Sequence, residues 1–149
     1  MLAIMRSLIM VLVIGFCFTV QAADKTSRLD FHIVHNEPLK AGRLVDTKEF
    51  PKLGYIATNP DLSIKHLKAA SKAKATTALL TLHERDAKAL AALTARCVGR
   101  RLLLTLNGRP LMAPTVREPI RAGQLAISTR DEKQMKQLLP VLRKLANER

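Results

Sequence analysis

Residues 98–120 constrain this chain more tightly than any other stretch. They set Gly99, the hydrophobic run Leu102–Leu106, the pair Asn107-Gly108 and the prolines Pro110, Pro114 and Pro119 in one order. Gly99 can take the left-handed geometry that stops a helix without a side-chain clash. Residues 102–106 form a short β-compatible run, and Asn-Gly is a strong signal for a two-residue hairpin because both residues tolerate positive φ. The prolines lack amide hydrogens, so the returning chain cannot form a long ladder-bonded central strand. The segment specifies a helix end, a core strand, a tight turn and a guided return. It contains no chemical machinery.

Around it the periodicities give a coarse map. Residues 29–34 alternate like a half-buried strand, with Leu29, Phe31 and Ile33 on one face. Asn36, Pro38 and Gly42 break regular structure, and residues 39–52 read as an exposed excursion. Residues 53–57 form a second strand ended by Asn59-Pro60. Asp61 or Ser63 can cap a short helix holding Ile64, Leu67 and Ala70, which would line up Lys65, Lys68 and Lys72 on its polar side. Residues 76–82 return to strand character. Thr81 and Glu84 have capping-box spacing before a helix whose apolar stripe is Ala87, Leu90, Leu93 and Cys97. Gln124–Ser128 is a strand with Leu125 and Ile127 on one side. Thr129 and Glu132 offer a second capping box before a last helix with Met135, Leu138, Leu142 and Leu145 inward. Pro140 should interrupt that helix by removing a hydrogen bond to Lys136. The sum is an α+β fold: a small antiparallel or mixed sheet covered by helices, as a ferredoxin-like sandwich.

Residues 1–22 read as a signal peptide, with Arg6 before an apolar stretch and Val20-Gln21-Ala22 at the cleavage positions. Ala23 is a competing cleavage point. The stretch is shorter than the ~20 residues a comfortable membrane span needs, and the aromatic Phe16 before Cys17 argues against lipidation. The expected product is a soluble periplasmic protein, residues 23–149, forming one domain behind a flexible leader at 24–28. Its one remaining cysteine, Cys97, can make no internal disulfide and fits a buried apolar site.

The chain has 25 basic and 12 acidic residues, a formal charge of +13, of which cleavage would remove Arg6. Such an excess favours anionic partners. Export weakens the case for nucleic acid, as does the scarcity of aromatics for base stacking in residues 23–149: Phe31, Phe50 and Tyr55. Anionic lipid, cell-wall polymer or acidic protein surfaces fit better.

No residues argue for catalysis or a cofactor. His32 and His35, three apart on a strand, face opposite ways and make poor joint metal ligands. His66 and His83 lack a completing pattern, so all four read as single surface histidines. Glu84 and Asp86 suit the field of a helix start. Gly99 and Gly108 occupy separate turns rather than a phosphate loop. Arg96, Arg100 and Arg101 can interact with a helix C-terminus or form an anion pocket.

Thr94, Gly99-Arg100, residues 102–106, Gly108, Ala113-Pro114, Glu118-Pro119-Ile120, Gly123 and Ala126-Ile127-Ser128 with the helix after Thr129 form a pattern. In this combination the chain resembles the periplasmic head subdomain of the SecD/SecDF protein-export family. The resemblance is clear over residues 78–145 and looser at 29–34 and 55–57. Asn107 stands where the family usually has aspartate, a change that keeps the turn chemistry. Thr129-Arg130 lacks the glycine that commonly follows the isoleucine–serine strand.

The resemblance implies a head that engages emerging polypeptide. The family's multi-span membrane domain, which couples proton movement to export, is missing from this sequence, so a detached head-like module is expected. The leading reading is a noncatalytic binding or accessory module contacting polypeptide or an envelope protein, with Arg100, Arg101, Arg109, Arg117 and Arg121 as partner-binding residues. The alternative is a structural envelope protein that holds anionic lipid or cell-wall material through distributed charge.

Overall fold

The computed structural model describes residues 27–147. The signal-peptide segment, Cys17 and residues 24–26 of the leader lie outside the described residues. The elements run β1 (Leu29–Ile33), β2 (Gly42–Val45), β3 (Gly54–Ala57), β4 (Leu62–Ile64), β5 (Ala69–Lys74), β6 (Thr77–Thr81), α1 (Glu84–Arg96), β7 (Leu102–Leu106), β8 (Arg109–Met112), β9 (Gln124–Ser128) and α2 (Glu132–Asn147). The fold is α+β, and its strands divide among three antiparallel sheets, ordered β4-β1-β7-β8, β2-β3 and β5-β6-β9.

The β1–β7 pair sits at the centre. Leu29, Phe31 and Ile33 alternate on one face and meet Leu102, Leu104 and Leu106 of β7 in the main core. Leu80, Ile127, Leu90, Leu93 and the α2 residues Met135 and Leu142 close that core from the other sheets and helices. Every residue of β1 and β7 is buried, including Asp30, His32 and Thr105. The half-buried strand expected at 29–34 is therefore buried on both sides. The reason is β2–β3, whose hairpin lays Val45, Leu53 and Ile56 over Val34 and Leu103 in a second, smaller core. The excursion expected at 39–52 supplies β2 of this cover. Reciprocal 2.8 Å backbone bonds between His35 and Tyr55 fasten it to the end of β1.

Several expected local features take other forms. The short helix after Asp61 is replaced by β4 and β5, because β1 and β6 offer these residues strand partners that outweigh local propensity. Asp61 tethers the β3–β4 link instead of capping a helix, accepting from the Ile33 N–H at 2.8 Å and donating its own N–H to Phe31 O at 2.9 Å. The lysine stripe dissolves with the helix. Lys65 and Lys68 lie between strands, and Lys72 on β5 pairs with Glu132 at 3.6 Å. His32 is buried, so the reading of four surface histidines fails there. The leader is ordered at its end: Ser27 is buried, and Arg28 exchanges bonds with Asn107 through its N–H to Oδ1 (2.9 Å) and its C=O from the Asn107 N–H (3.0 Å).

Both helix starts also differ. His83 occupies the N-cap of α1 without a side-chain cap, and Glu84 turns to Lys88 at 2.7 Å. At α2 the cap is Asp131, whose Oδ1 accepts from Gln134 N–H at 2.8 Å, while Thr129 donates to the Asp131 carbonyl at 2.9 Å. Helix α2 runs through Pro140 without a break. Pro140 and Lys136 are both exposed, so water can serve the carbonyl the proline leaves unbonded.

The turn logic of residues 98–120 holds. Gly99 has φ +83° and Asn107-Gly108 has φ +53° and +83°. The return is anchored by Leu102 N–H to Pro114 O (2.9 Å), Val116 N–H to Arg100 O (2.8 Å) and Gly99 N–H to Val116 O (2.7 Å). Thr94, fully buried, joins helix to return. Its hydroxyl donates to Leu90 O at 2.8 Å and accepts from Ile120 N–H at 2.9 Å. Cys97 is buried beside it, and burial pushes its thiol pKa up.

Replacing Thr94→Val keeps shape but deletes the acceptor of Ile120 N–H. Chemical denaturation should show a loss of about 1–3 kcal/mol, and Thr94→Ser, which keeps the acceptor and loses one buried methyl, should cost about 1 kcal/mol. Burial holds the His32 pKa below 6.5, against the opposing pull of Asp30 and Asp61. A depressed folded-state value means the contribution is fully present above the unfolded imidazole pKa and is lost as pH falls through the folded one. The unfolding midpoint should therefore drop on acidification below about 6.5, and a His32→Leu variant should show a shallower acid limb.

Candidate functional site

Hairpin β7–β8 ends the four-stranded sheet with β8 as its edge, and β9 ends the three-stranded sheet. The two edges approach one cleft of about 580 Å³, closed on a third side by α2. Its apolar lining comes from Leu106, Leu111 and Met112 on the hairpin, Ile127 on β9, and Leu138 and Val141 on α2. Leu138 and Val141 stand i, i+3 on α2 and so share the helix face turned to the gap. Phe50, between β2 and β3, covers one end. Gln134 and Gln137 add amides, while Ser128 and Thr129 add hydroxyls.

Among the described residues three arginines stand on the lining, Arg101, Arg109 and Arg130, against one carboxylate, Glu49. Arg101 Nε donates to Ala113 O at 3.2 Å, and an Arg130 guanidinium nitrogen reaches Glu49 O, a backbone carbonyl, at 3.5 Å. Among the described residues none of the three is in an ion pair, so their charge is available to an anionic group. All three are exposed.

Of the five arginines expected to bind a partner, the structure brings Arg101 and Arg109 to this cleft. Arg100 joins Arg101 at a separate hollow of about 440 Å³ lined also by Val34, Glu37 and Pro38. Arg117 and Arg121 are exposed and line neither. Sequence reasoning missed Arg130 and Phe50. Arg130 was visible as a departure from the family pattern after Ser128, but only the tertiary fold sets it on one lining with the β8 residues. Phe50 carries no periodic signal. Among the described residues no group of three or more His, Cys, Asp or Glu could hold a metal ion. Nor is any helix there long and apolar enough to cross a membrane.

Among the described residues, two helices and three antiparallel sheets form an α+β domain with a cleft between sheet edges. No protein-family model matches the chain. Over 65 residues, 43% of this chain, it is 43% identical to the protein translocase subunit SecD of Acidaminococcus fermentans. The chain spans 16% of that relative's length. Its fold matches a solved SecDF, described as a membrane component that enhances protein export, with TM-score 0.58 and 23% identity over 81% of this chain and 64% of the other. SecDF in a super-membrane-facing form matches with TM-score 0.58 and 22% identity, over 81% and 19% of the two chains. A translocon-associated SecDF from Thermus matches with TM-score 0.53 and 22% identity, over 83% and 20%. The chain is a SecD/SecDF-like domain.

Proposed function

We propose that this chain is a noncatalytic, exported periplasmic module that assists protein export by holding polypeptide in the β8–β9–α2 cleft. The observation that carries the reading is the cleft itself: an apolar floor with three arginines that, among the described residues, have no carboxylate partner. Apolar lining suits unfolded segments, and unpaired rim cations raise the rate at which acidic segments arrive. Similarity to SecD and SecDF supports the export context. The formal charge of +13 favours one rival, attachment to anionic lipid or cell-wall polymer through distributed charge.

A photocrosslinking residue at position 111 or 141, in intact cells, separates the two. Adducts with secretory chains or translocase components support the proposal, and adducts confined to envelope lipid or wall material overturn it. In vitro, Arg101→Ala and Arg109→Ala should each weaken binding of an acidic peptide a few-fold, in line with the ~0.2–1 kcal/mol typical of exposed ion pairs. Arg117→Ala and Arg121→Ala should leave binding unchanged, and Leu111→Asp should abolish it.

A further inference from the structure

We infer that the occupant of the cleft is an extended acidic–apolar polypeptide segment that adds as a strand to the free edge of β9. Strand addition rests on the proposed polypeptide-holding function and names its mode. A sheet edge exposes unpaired N–H and C=O groups, and folded proteins usually blunt such edges. Of the four edges of the two larger sheets, three are blunted. Strand β4 has only 3 residues. Strand β5 carries Lys72 and Lys74 with a register irregularity between them. Strand β8 contains Pro110 and pairs with β7 through another irregularity.

Strand β9 has none of these devices. Its sequence, Gln-Leu-Ala-Ile-Ser, lacks proline and lysine, and all 5 residues pair with β6 in unbroken register. The direction of its backbone groups follows from the ladder. Leu82 N–H donates to Gly123 O at 2.8 Å, and Thr129 N–H donates to Thr76 O at 2.9 Å. Hydrogen-bonded and non-bonded pairs alternate along an antiparallel ladder, so Leu125 and Ile127 face β6 with their amides. The N–H and C=O groups of Gln124, Ala126 and Ser128 point to the open side. All three residues are exposed.

The open edge runs into the cleft at Ser128 and Thr129, beside the apolar floor of Leu111, Leu138 and Val141. A strand laid there gains backbone bonds from β9, places alternate side chains on that floor and brings carboxylates to Arg109 and Arg130. Main-chain bonds give affinity without demanding one sequence, while alternate pockets set preference. Charge complementarity fixes the acidic character, because among the described residues Glu49 is the cleft's one carboxylate against three arginines.

The test uses the full exported chain and the probe peptide acetyl-Glu-Leu-Thr-Val-Thr-Leu-Glu-amide. Two backbone N-methylated isomers carry methyl groups on alternate amides, one set or the other, with identical side chains. The apolar pattern fixes which amides meet β9. One isomer should therefore lose affinity roughly tenfold or more, and the other should stay near the parent. Hydrogen exchange at Ala126 and Ser128 should slow as the parent peptide saturates the protein, and Ala126→Pro should reproduce the loss. Should that variant fail to fold, the isomer pair still decides. Tight binding of parent and both isomers alike overturns strand addition and leaves polypeptide holding intact. Absence of any peptide binding, with no polypeptide adducts in cells, overturns both. Concentration-dependent protection of Ala126 and Ser128 without peptide assigns the edge to a second copy and overturns the inference.

Discussion

Burial of the β1–β7 ladder on both faces governs the placement of the other elements. Its five registered pairs, Leu29↔Leu106 through Ile33↔Leu102, put six apolar side chains on one side and Leu103 with the polar Asp30, His32 and Thr105 on the other. Both sides are nonetheless buried along the whole of β1 and β7, so the ladder is covered twice. The helices and the β5-β6-β9 sheet close one side, and the β2–β3 hairpin closes the other. The second cover has a consequence for the polar residues beneath it. Asp30 is satisfied by Arg28 at 3.0 Å and by the Ser63 hydroxyl at 2.6 Å. His32 Nδ1 and Thr105 Oγ1 are buried without a partner among the described residues. An imidazole in that position resists protonation, and this ties stability of the hairpin face to pH.

The cleft is the residue of the same arrangement. Covering one face of the central sheet with a second sheet sets two edges toward each other, and the prolines of the return stop β8 from continuing toward β9. Helix α2 then supplies a wall instead of a further strand. An apolar cleft is thus left by the limits of strand pairing. Thr94 and Gly99 hold the return at a fixed distance from α1, so the position of Ala113 and Pro114 beside the cleft depends on contacts well away from it.

Rim charge and floor play different parts. The exposed arginines act over about a Debye length and lose force with salt. The partly exposed Leu111, Met112 and Val141 give area that salt does not screen. The proposed occupant, an extended chain with mixed acidic and apolar character, is one that would use both.

Features carried by consecutive residues were legible in the amino-acid order itself. The hairpin at Asn107-Gly108, the stop at Gly99, strands β7 and β9, and the inward stripes of both helices depend on local φ preference and period, which the residues themselves set. The resemblance to SecD heads rested on the same segment. Features decided by distant partners were not legible. Residues 61–74 carry alanine and lysine at helical spacing, yet β1 and β6 draw them into strands. His32 looked like a surface residue because nothing nearby in sequence announces the β2–β3 cover. Arg130 and Phe50 reach the cleft only through packing. Local sequence determined where the chain turns and which side chains must be buried. Tertiary structure alone decided which edges stay open and which charges meet, because pairing and burial are satisfied between residues far apart in the chain.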